Sequence, residues 1–372
     1  MVQIYNLKLK IMKVWIVWLP NVWKSTLFNA LTKNYSADAQ NFPFCTIEPN
    51  VWIVNVNDKR LEEIRKAVNG QKVIPANCEF IDIAWIVEWA SKWEGLWNKF
   101  LANIREANAI LQVVRVFKND DIIHVSWKVD PKRDIEVINS ELILADIETL
   151  ERRIIDNAKK ARSSKEAQVA QDCYTRVMEE LNNWKLVIDL GLNDEEQEYF
   201  KDLHLLTNKK FVYAANVSED MMDASESELK EILWITNPLT KVVPVCAKLE
   251  ADMIEMSEEE RESFLQEMWL ITTWLDNLIK ASYDSLGLQY YFTAWEKEVR
   301  AWTINVWDKA PQAAWVIHTD FEKWFIKADV VNWKDLVEFG GWAWAREKAK
   351  VSLEWKEYVV RDWDIMLFKF SN

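Results

Sequence analysis

The chain has 372 residues, 28% charged and 50% apolar, with a net charge of −13. That balance and the lack of a long uncharged run exclude a disordered or membrane-spanning protein. The acidic excess argues against broad coating of nucleic acid or of an anionic membrane.

Two counts stand out: 23 Trp against 6 Gly. Ordinary glycine usage of ~7% corresponds to about 26 residues in a chain of this length. Trp and Gly together come close to that number, as if tryptophan stood at glycine positions. Charge is uneven: residues 291–372 carry a net −1 and residues 1–290 a net −12, which leaves room for a local basic face near the C-terminus. Four scattered cysteines without a C-x-x-C pair read as free thiols of a reducing compartment. Three scattered histidines make a zinc site improbable. Met1 to Met12 lacks an apolar core with a small-residue cleavage site, so the expected location is cytoplasmic.

In chain order, Val14-Trp15-Ile16-Val17-Trp18 is a short apolar run broken by Leu19-Pro20-Asn21, and Lys24 to Leu31 follows with helical character. This strand–loop–helix order opens an α/β unit. Further buried strands are expected at 51–56, 79–83, 109–116, 211–215 and 242–245, separated by helical stretches, which predicts a mainly parallel sheet covered on both faces. Between residues 139 and 182, Ile143, Ile147, Leu150 and Ile154 recur at i, i+4, i+7 and i+11, as do Ala170, Tyr174, Val177 and Leu181. Arg162-Ser163-Ser164-Lys165 stands between the two series, so an antiparallel coiled-coil hairpin is expected there, with two ordinary surface helices as the alternative. Beyond Tyr290 come short apolar segments at 299–304, 314–317, 325–331, 358–360 and 366–370, the texture of a small α+β or mostly β domain.

The chemistry is carried by Trp18-Leu-Pro-Asn-Val-Trp23-Lys24-Ser25-Thr26. It has the spacing of the phosphate-binding loop G-x-x-x-x-G-K-[ST], with tryptophan at both glycines. Backbone N–H groups from Asn21 through Val22 and Trp23 to Thr26 would form an anion nest at a helix N-terminus. Lys24 would neutralise the β- and γ-phosphates, and the Ser25 hydroxyl would meet Mg2+. Thr46 stands where a switch threonine would reach Mg2+ and the γ-phosphate. Asp82-Ile-Ala-Trp85 has the form D-x-x-G, again with Trp for Gly, and its Asp82 is a third candidate metal ligand. Asn216-Val217-Ser218-Glu219 and Cys246-Ala247-Lys248 each follow a strand, where a nucleotide base would be read.

These motifs, together with Asn41–Asn50, Asn98-Lys-Phe-Leu-Ala-Asn-Ile-Arg105, Tyr291-Phe-Thr-Ala294, Glu298-Val-Arg-Ala-Trp-Thr303 and Ile317-His-Thr-Asp-Phe-Glu322, resemble the YchF/Obg-like ATPases from about Lys13 to Phe370. The resemblance implies an α/β fold: an Obg-type P-loop NTPase domain over 13–285, an inserted antiparallel helical hairpin within 130–200, and a C-terminal TGS domain of β-grasp type over 288–372. It also implies ATP in preference to GTP, because Asn216-Val217-Ser218-Glu219 lacks the Lys and Asp of N-K-x-D, with weak GTPase activity. Mg2+ is the implied cofactor, and ribosome or ribosomal RNA the implied partner, through the hairpin and the TGS domain. Ile86 replaces the glutamine that orients water in many GTPases, so hydrolysis is expected to be slow. His124, which resembles a family loop histidine, is a candidate catalytic group alongside Lys24.

Tryptophan occupies family glycine positions at 15, 18, 23, 52, 85, 89, 93, 97, 295, 307, 315, 324, 355 and 363, while Trp302 matches a family tryptophan. That pattern supports a second reading, a catalytically dead ribosome- or RNA-binding module or an altered form of the family framework. A metabolic kinase and a Ser/His/Asp hydrolase built on His318 and Asp320 have less support.

Overall fold

The computed structural model describes residues 12–19, 51–82, 105, 107–117, 129–253, 256–267 and 273–371. The expected helix at Lys24 to Leu31 lies outside them. The chain divides into two compact units, one built mainly of Phe80–Ser285, the other of Leu286–Asn372 together with Ile53–Glu79. Ile53–Glu79, read from the sequence as part of the nucleotide-binding domain, is thus grouped with the C-terminal residues.

The first sheet has the order β2-β4-β1-β5-β6-β7, with β1 at Met12–Trp18, β2 at Val51–Asn55, β4 at Asn77–Asp82, β5 at Ala109–Arg115, β6 at Lys210–Asn216 and β7 at Lys241–Val245. The neighbours β1, β5, β6 and β7 run parallel. Every residue of β5 is buried, Gln112 and Arg115 included, as befits a central strand covered on both faces, whose sequence is mostly apolar.

The hairpin is present. Helix α2 (Pro131–Ala161) begins at Asp130, whose carboxylate accepts the Arg133 N–H at 3.2 Å, and helix α3 (Lys165–Asn182) follows a turn at 162–164. A proline in the first turn and a side-chain cap make a firm helix start. The two halves of α2 have different tasks. Ile135, Ile138, Leu142 and Ala145 pack with Trp15, Val17, Ile110 and Tyr213 of the sheet core. Ile143 and Leu150 pack with Tyr174, Val177 and Leu181 of α3. The i, i+4, i+7 series in the sequence marks the inner seam of this hairpin.

At the root of the hairpin, Asp146 is buried and accepts N–H groups from Leu206 (2.8 Å) and Thr207 (2.7 Å) and the Thr207 hydroxyl (2.7 Å). Burial pushes its carboxyl up to about 6 against those donors.

In the second unit a mixed sheet runs β11-β10-β12-β8-β9-β3, with β3 at Val73–Ile74, β8 at Leu288–Ala294, β9 at Val299–Asn305, β10 at Phe325–Asn332, β11 at Ser352–Glu354 and β12 at Asp364–Phe370. Helix α9 (Ala310–Ile317) buries Ala310, Ala313, Ala314 and Val316 against Tyr291, Ile304, Phe325 and Met366. A sheet wrapped on one helix is the β-grasp arrangement that the C-terminal resemblance implies. Residues 358–360 form only an isolated bridge, Lys309 with Val359, in place of a strand. Helix α1 (Lys59–Ala67) belongs to this unit. Gly341 sits there at φ 119°, and a Cβ on it would lie 3.2 Å from the Ala67 carbonyl oxygen, so only glycine fits without strain.

Candidate nucleotide site

The site is defined by which strand ends meet. In a parallel sheet all carboxyl ends lie on one edge, and ligands bind where the chain order reverses. Here β1 lies between β4 and β5, so the reversal falls at its carboxyl end. Trp18, the first residue of the phosphate-loop motif, is the last residue of β1, and Asp82 is the last residue of β4 on the neighbouring side. The remaining phosphate and metal candidates, Asn21, Val22, Trp23, Lys24, Ser25, Thr26, Thr46 and His124, lie outside the described residues.

The candidate base-reading residues Asn216, Val217, Glu219 and Ala247 all lie within the described residues. Asn216 ends β6 and is buried. Its side-chain Oδ1 accepts the backbone N–H of Ala247 at 3.3 Å, at the start of helix α6 (Ala247–Met253). Its backbone carbonyl accepts the N–H groups of Val116 (2.8 Å) and Phe117 (3.3 Å), which follow β5. Val217 is buried and donates its N–H to Val245 at 2.8 Å. One asparagine thus joins the segments that follow β5, β6 and β7. Its side chain is fixed before any base arrives, and such preorganisation reduces the cost of binding.

Glu219 lies on the rim, where Lys248 donates to its Oε1 at 2.8 Å. The carboxylate holds the Lys248 ammonium above its ordinary range. Both side chains are open to water, so the pair is worth little as stability. Its importance is geometric: it occupies one carboxylate oxygen. Asn216, Val217, Glu219 and Ala247, the base candidates of the sequence, fall in one loop cluster, and Lys248, the partner of Glu219, was not among them. The signal was present in Cys246-Ala247-Lys248, one position past the candidate Ala247.

Two further groups carry no motif. Arg115 ends β5, is buried, donates its Nε–H to the Phe117 carbonyl at 3.2 Å and has its guanidinium 4.6 Å from the Phe117 ring centre. Burial lowers its guanidinium, and Asp134 opposes that shift. Glu250, one turn into α6, is also buried, and burial pushes its carboxyl up to about 7 against a hydrogen bond with the Trp274 side chain. Cys246, whose carbonyl accepts the Glu250 N–H at 3.2 Å, is buried and its thiol is raised by burial, so it stays protonated. Among the described residues no group of His, Cys, Asp and Glu is arranged to hold a metal ion, and no helix is long and apolar enough to cross a membrane.

A parallel sheet with its order reversal beside a phosphate-loop strand, and a separate base-reading loop cluster at the ends of β6 and β7, define a P-loop nucleotide-binding protein of the GTPase type. Residues 13–145 match the family described as "50S ribosome-binding GTPase", and residues 288–371 match the C-terminal YchF-type GTPase family described as "Protein of unknown function (DUF933)". The ribosome-binding ATPase YchF of Bacillus subtilis is 49% identical over 360 residues, covering 96% of this chain and 98% of the relative. The proteins of the same name from Haemophilus influenzae and Escherichia coli O157:H7 are 46% and 48% identical over 362 residues, each covering 96% of this chain and 99% of the relative. The solved structure of the Schizosaccharomyces pombe YchF GTPase superposes with a TM-score of 0.82 at 33% identity, covering 96% of this chain and 97% of that one. The chain belongs to the YchF family.

Proposed function

We propose that this chain is an ATP-binding, slowly ATP-hydrolysing switch that works with the ribosome in the cytoplasm. The observation that carries the nucleotide choice is the Glu219–Lys248 contact beside the fixed Asn216 side chain. Guanine recognition of the N-K-x-D type needs a short carboxylate free to accept two N–H groups from the base edge. Glu219 is one methylene longer than aspartate and already accepts from Lys248, and buried Val217 stands where that motif has lysine. Adenine makes no such demand on that edge, so the loop cluster favours ATP.

Mg2+ fits the oxygen donors that the motifs supply: the hydroxyls of Ser25 and Thr46, and the carboxylate of Asp82 at the end of β4 next to β1. Bound there, it would neutralise charge on the β- and γ-phosphates. Lys24 adds a second cation and the backbone from Asn21 to Thr26 an anion nest. Ile86 cannot orient a water molecule, which leaves His124 as the polar candidate and hydrolysis slow. The ribosome enters through the relatives' name, ribosome-binding ATPase. The hairpin and the near-neutral C-terminal domain are the surfaces assigned to that contact, including contact with ribosomal RNA.

A second reading, a ribosome-binding module without catalysis, is favoured by one feature: tryptophan at 18, 23 and 85, where phosphate and switch loops need glycine. Calorimetric titration with Mg-ATP and Mg-GTP, run beside Trp18→Gly/Trp23→Gly/Trp85→Gly, separates the two. The switch reading expects micromolar-range heat with ATP from the glycine form, and no heat at millimolar nucleotide overturns it. Salt-dependent pelleting with ribosomes tests the partner independently of nucleotide.

A further inference from the structure

Three tryptophans occupy backbone that only glycine adopts without strain. Trp184, Trp234 and Trp307 lie at φ 60°, 58° and 78°. Trp234 ends helix α5 (Glu226–Leu233) in the left-handed conformation, its N–H bonded to the carbonyls of Glu231 and Lys230, and Ile235 bonds back to Lys230 at 2.9 Å. Trp184 closes α3 the same way, with Lys185 bonded back to Glu180 at 3.1 Å. This closing turn is the one in which helices commonly use glycine. Trp307 sits in the turn after β9, where Asp308 bonds back to Asn305 at 3.2 Å. The three indoles are 58%, 69% and 79% exposed. Tryptophan is on average a well-buried residue, so these sites gain little from the ring. One contact is made: the Lys132 ammonium lies 4.6 Å from the Trp234 ring centre.

The same backbone task is performed elsewhere by glycine itself. Gly191, Gly287 and Gly340 lie at φ 63°, 60° and 70°. Asn69, His204 and Ala349 also lie at positive φ, at 54°, 48° and 54°, but among the described residues tryptophan is the non-glycine type that recurs there. Nine of the large exposed apolar side chains among the described residues are tryptophan. Trp302 behaves differently. It is buried, and its Nε1–H donates to the Thr293 hydroxyl at 2.9 Å, as a structural tryptophan should.

Partial replacement of glycine by a single residue type is the signature of one codon among several. On that account the 6 glycines that remain come from the ordinary glycine triplets. The triplet UGA, decoded as tryptophan under one variant code, differs from the glycine triplet GGA by a single base, so a glycine transfer RNA needs one anticodon change to read it.

We propose that the cell that owns this gene decodes that triplet as glycine, so that the native chain carries glycine at 184, 234 and 307 and at the phosphate-loop and switch positions 18, 23 and 85. The native motifs are then G-x-x-x-x-G-K-S and D-x-x-G, an intact phosphate cradle. The proposal rests on the nucleotide-switch reading only for what that cradle binds.

Peptide mass spectrometry of the protein purified from its own cells tests the decoding. Peptides spanning 184, 234 and 307 are expected to be lighter, each by the difference between an indolylmethyl group and a hydrogen, while the peptide with Trp302 keeps the tryptophan mass. Tryptophan at any of the three overturns the proposal. A Mg-ATP titration of the same native protein is read separately. Glycine masses without nucleotide binding refute the switch reading and leave the decoding standing; tryptophan masses with nucleotide binding do the reverse.

Discussion

The Asn216 side chain accepts the Ala247 N–H at 3.3 Å, and this one contact ties the end of β6 to the start of α6. The carbonyl of the same residue holds Val116 and Phe117 after β5. Segments that follow three strands therefore meet at one buried asparagine, and changes at Asn216 are expected to act on stability and on nucleotide binding together.

Replacing Asn216 with alanine leaves the buried Ala247 N–H without its side-chain acceptor. An unsatisfied buried donor costs ~1–3 kcal/mol. Urea unfolding of Asn216→Ala is expected to show a loss in that range with an unchanged slope. In the glycine-bearing form, nucleotide affinity should fall at the same time. Loss of affinity without loss of stability would mean that Asn216 contacts the base and does not organise the loops.

Nucleotide preference is expected to follow residues 217 and 219. Val217→Lys with Glu219→Asp recreates N-K-x-D and removes the longer carboxylate that Lys248 engages. The GTP-to-ATP affinity ratio should rise by ~100-fold or more, because a site built to hydrogen-bond a base edge discriminates strongly against its absence. Competition of ATP and GTP for a fluorescent nucleotide measures the ratio, and an unchanged ratio places base choice elsewhere.

Much of this was legible in the sequence for identifiable reasons. β5 and β6 are mostly apolar because they are buried on both faces, and the hairpin seam from Ile143 to Leu181 shows a helical period because each helix buries one constant stripe. The candidate base loop was legible because Asn216 is the last residue of β6 and Ala247 follows the end of β7 by two positions. Hidden features depend on contacts distant in sequence. Ile53–Glu79 joins the C-terminal unit through the pairing of Val73 with Val299, which no local pattern announces. Lys248 with Glu219, and Trp274 with Glu250, are likewise pairs that only folding brings together. Trp184 and Trp234 escaped as glycine positions because helix-closing turns need a φ value, which a sequence motif does not state.

Glu250 predicts a pH dependence. Its carboxyl is raised from 4.5 to about 7 by burial, so the fold favours the neutral form. That contribution is complete below about pH 4.5 and is lost as pH rises through about 7, by up to ~3 kcal/mol. Arg261 and Asp276 are the charged groups acting on it, in opposite senses. Glu250→Gln keeps an acceptor for the Trp274 indole and removes the titration. Thermal unfolding from pH 5 to 8 should show the variant gaining on the parent chain as pH rises; a constant difference would place the Glu250 carboxyl in water.

Tryptophan-to-glycine changes are expected to have opposite signs at different sites. A bulky residue held at positive φ costs roughly 1–3 kcal/mol, which glycine avoids. Trp184→Gly and Trp307→Gly remove exposed rings from such backbone, so each should raise stability by ~1 kcal/mol, and Tm by a few degrees. Trp234→Gly should gain less, because it also loses the Lys132 contact, worth ~0.5–1 kcal/mol at an exposed site. Trp302→Gly empties a packed site among Tyr291, Ile304 and Phe325 and removes the bond to Thr293, for a loss of ~3–5 kcal/mol. Differential scanning calorimetry of the four variants reads the order directly. Stabilisation at 184 and 307 with destabilisation at 302 assigns the first two positions to glycine on physical grounds, whereas uniform loss would mean that the exposed indoles pack against something the isolated chain needs.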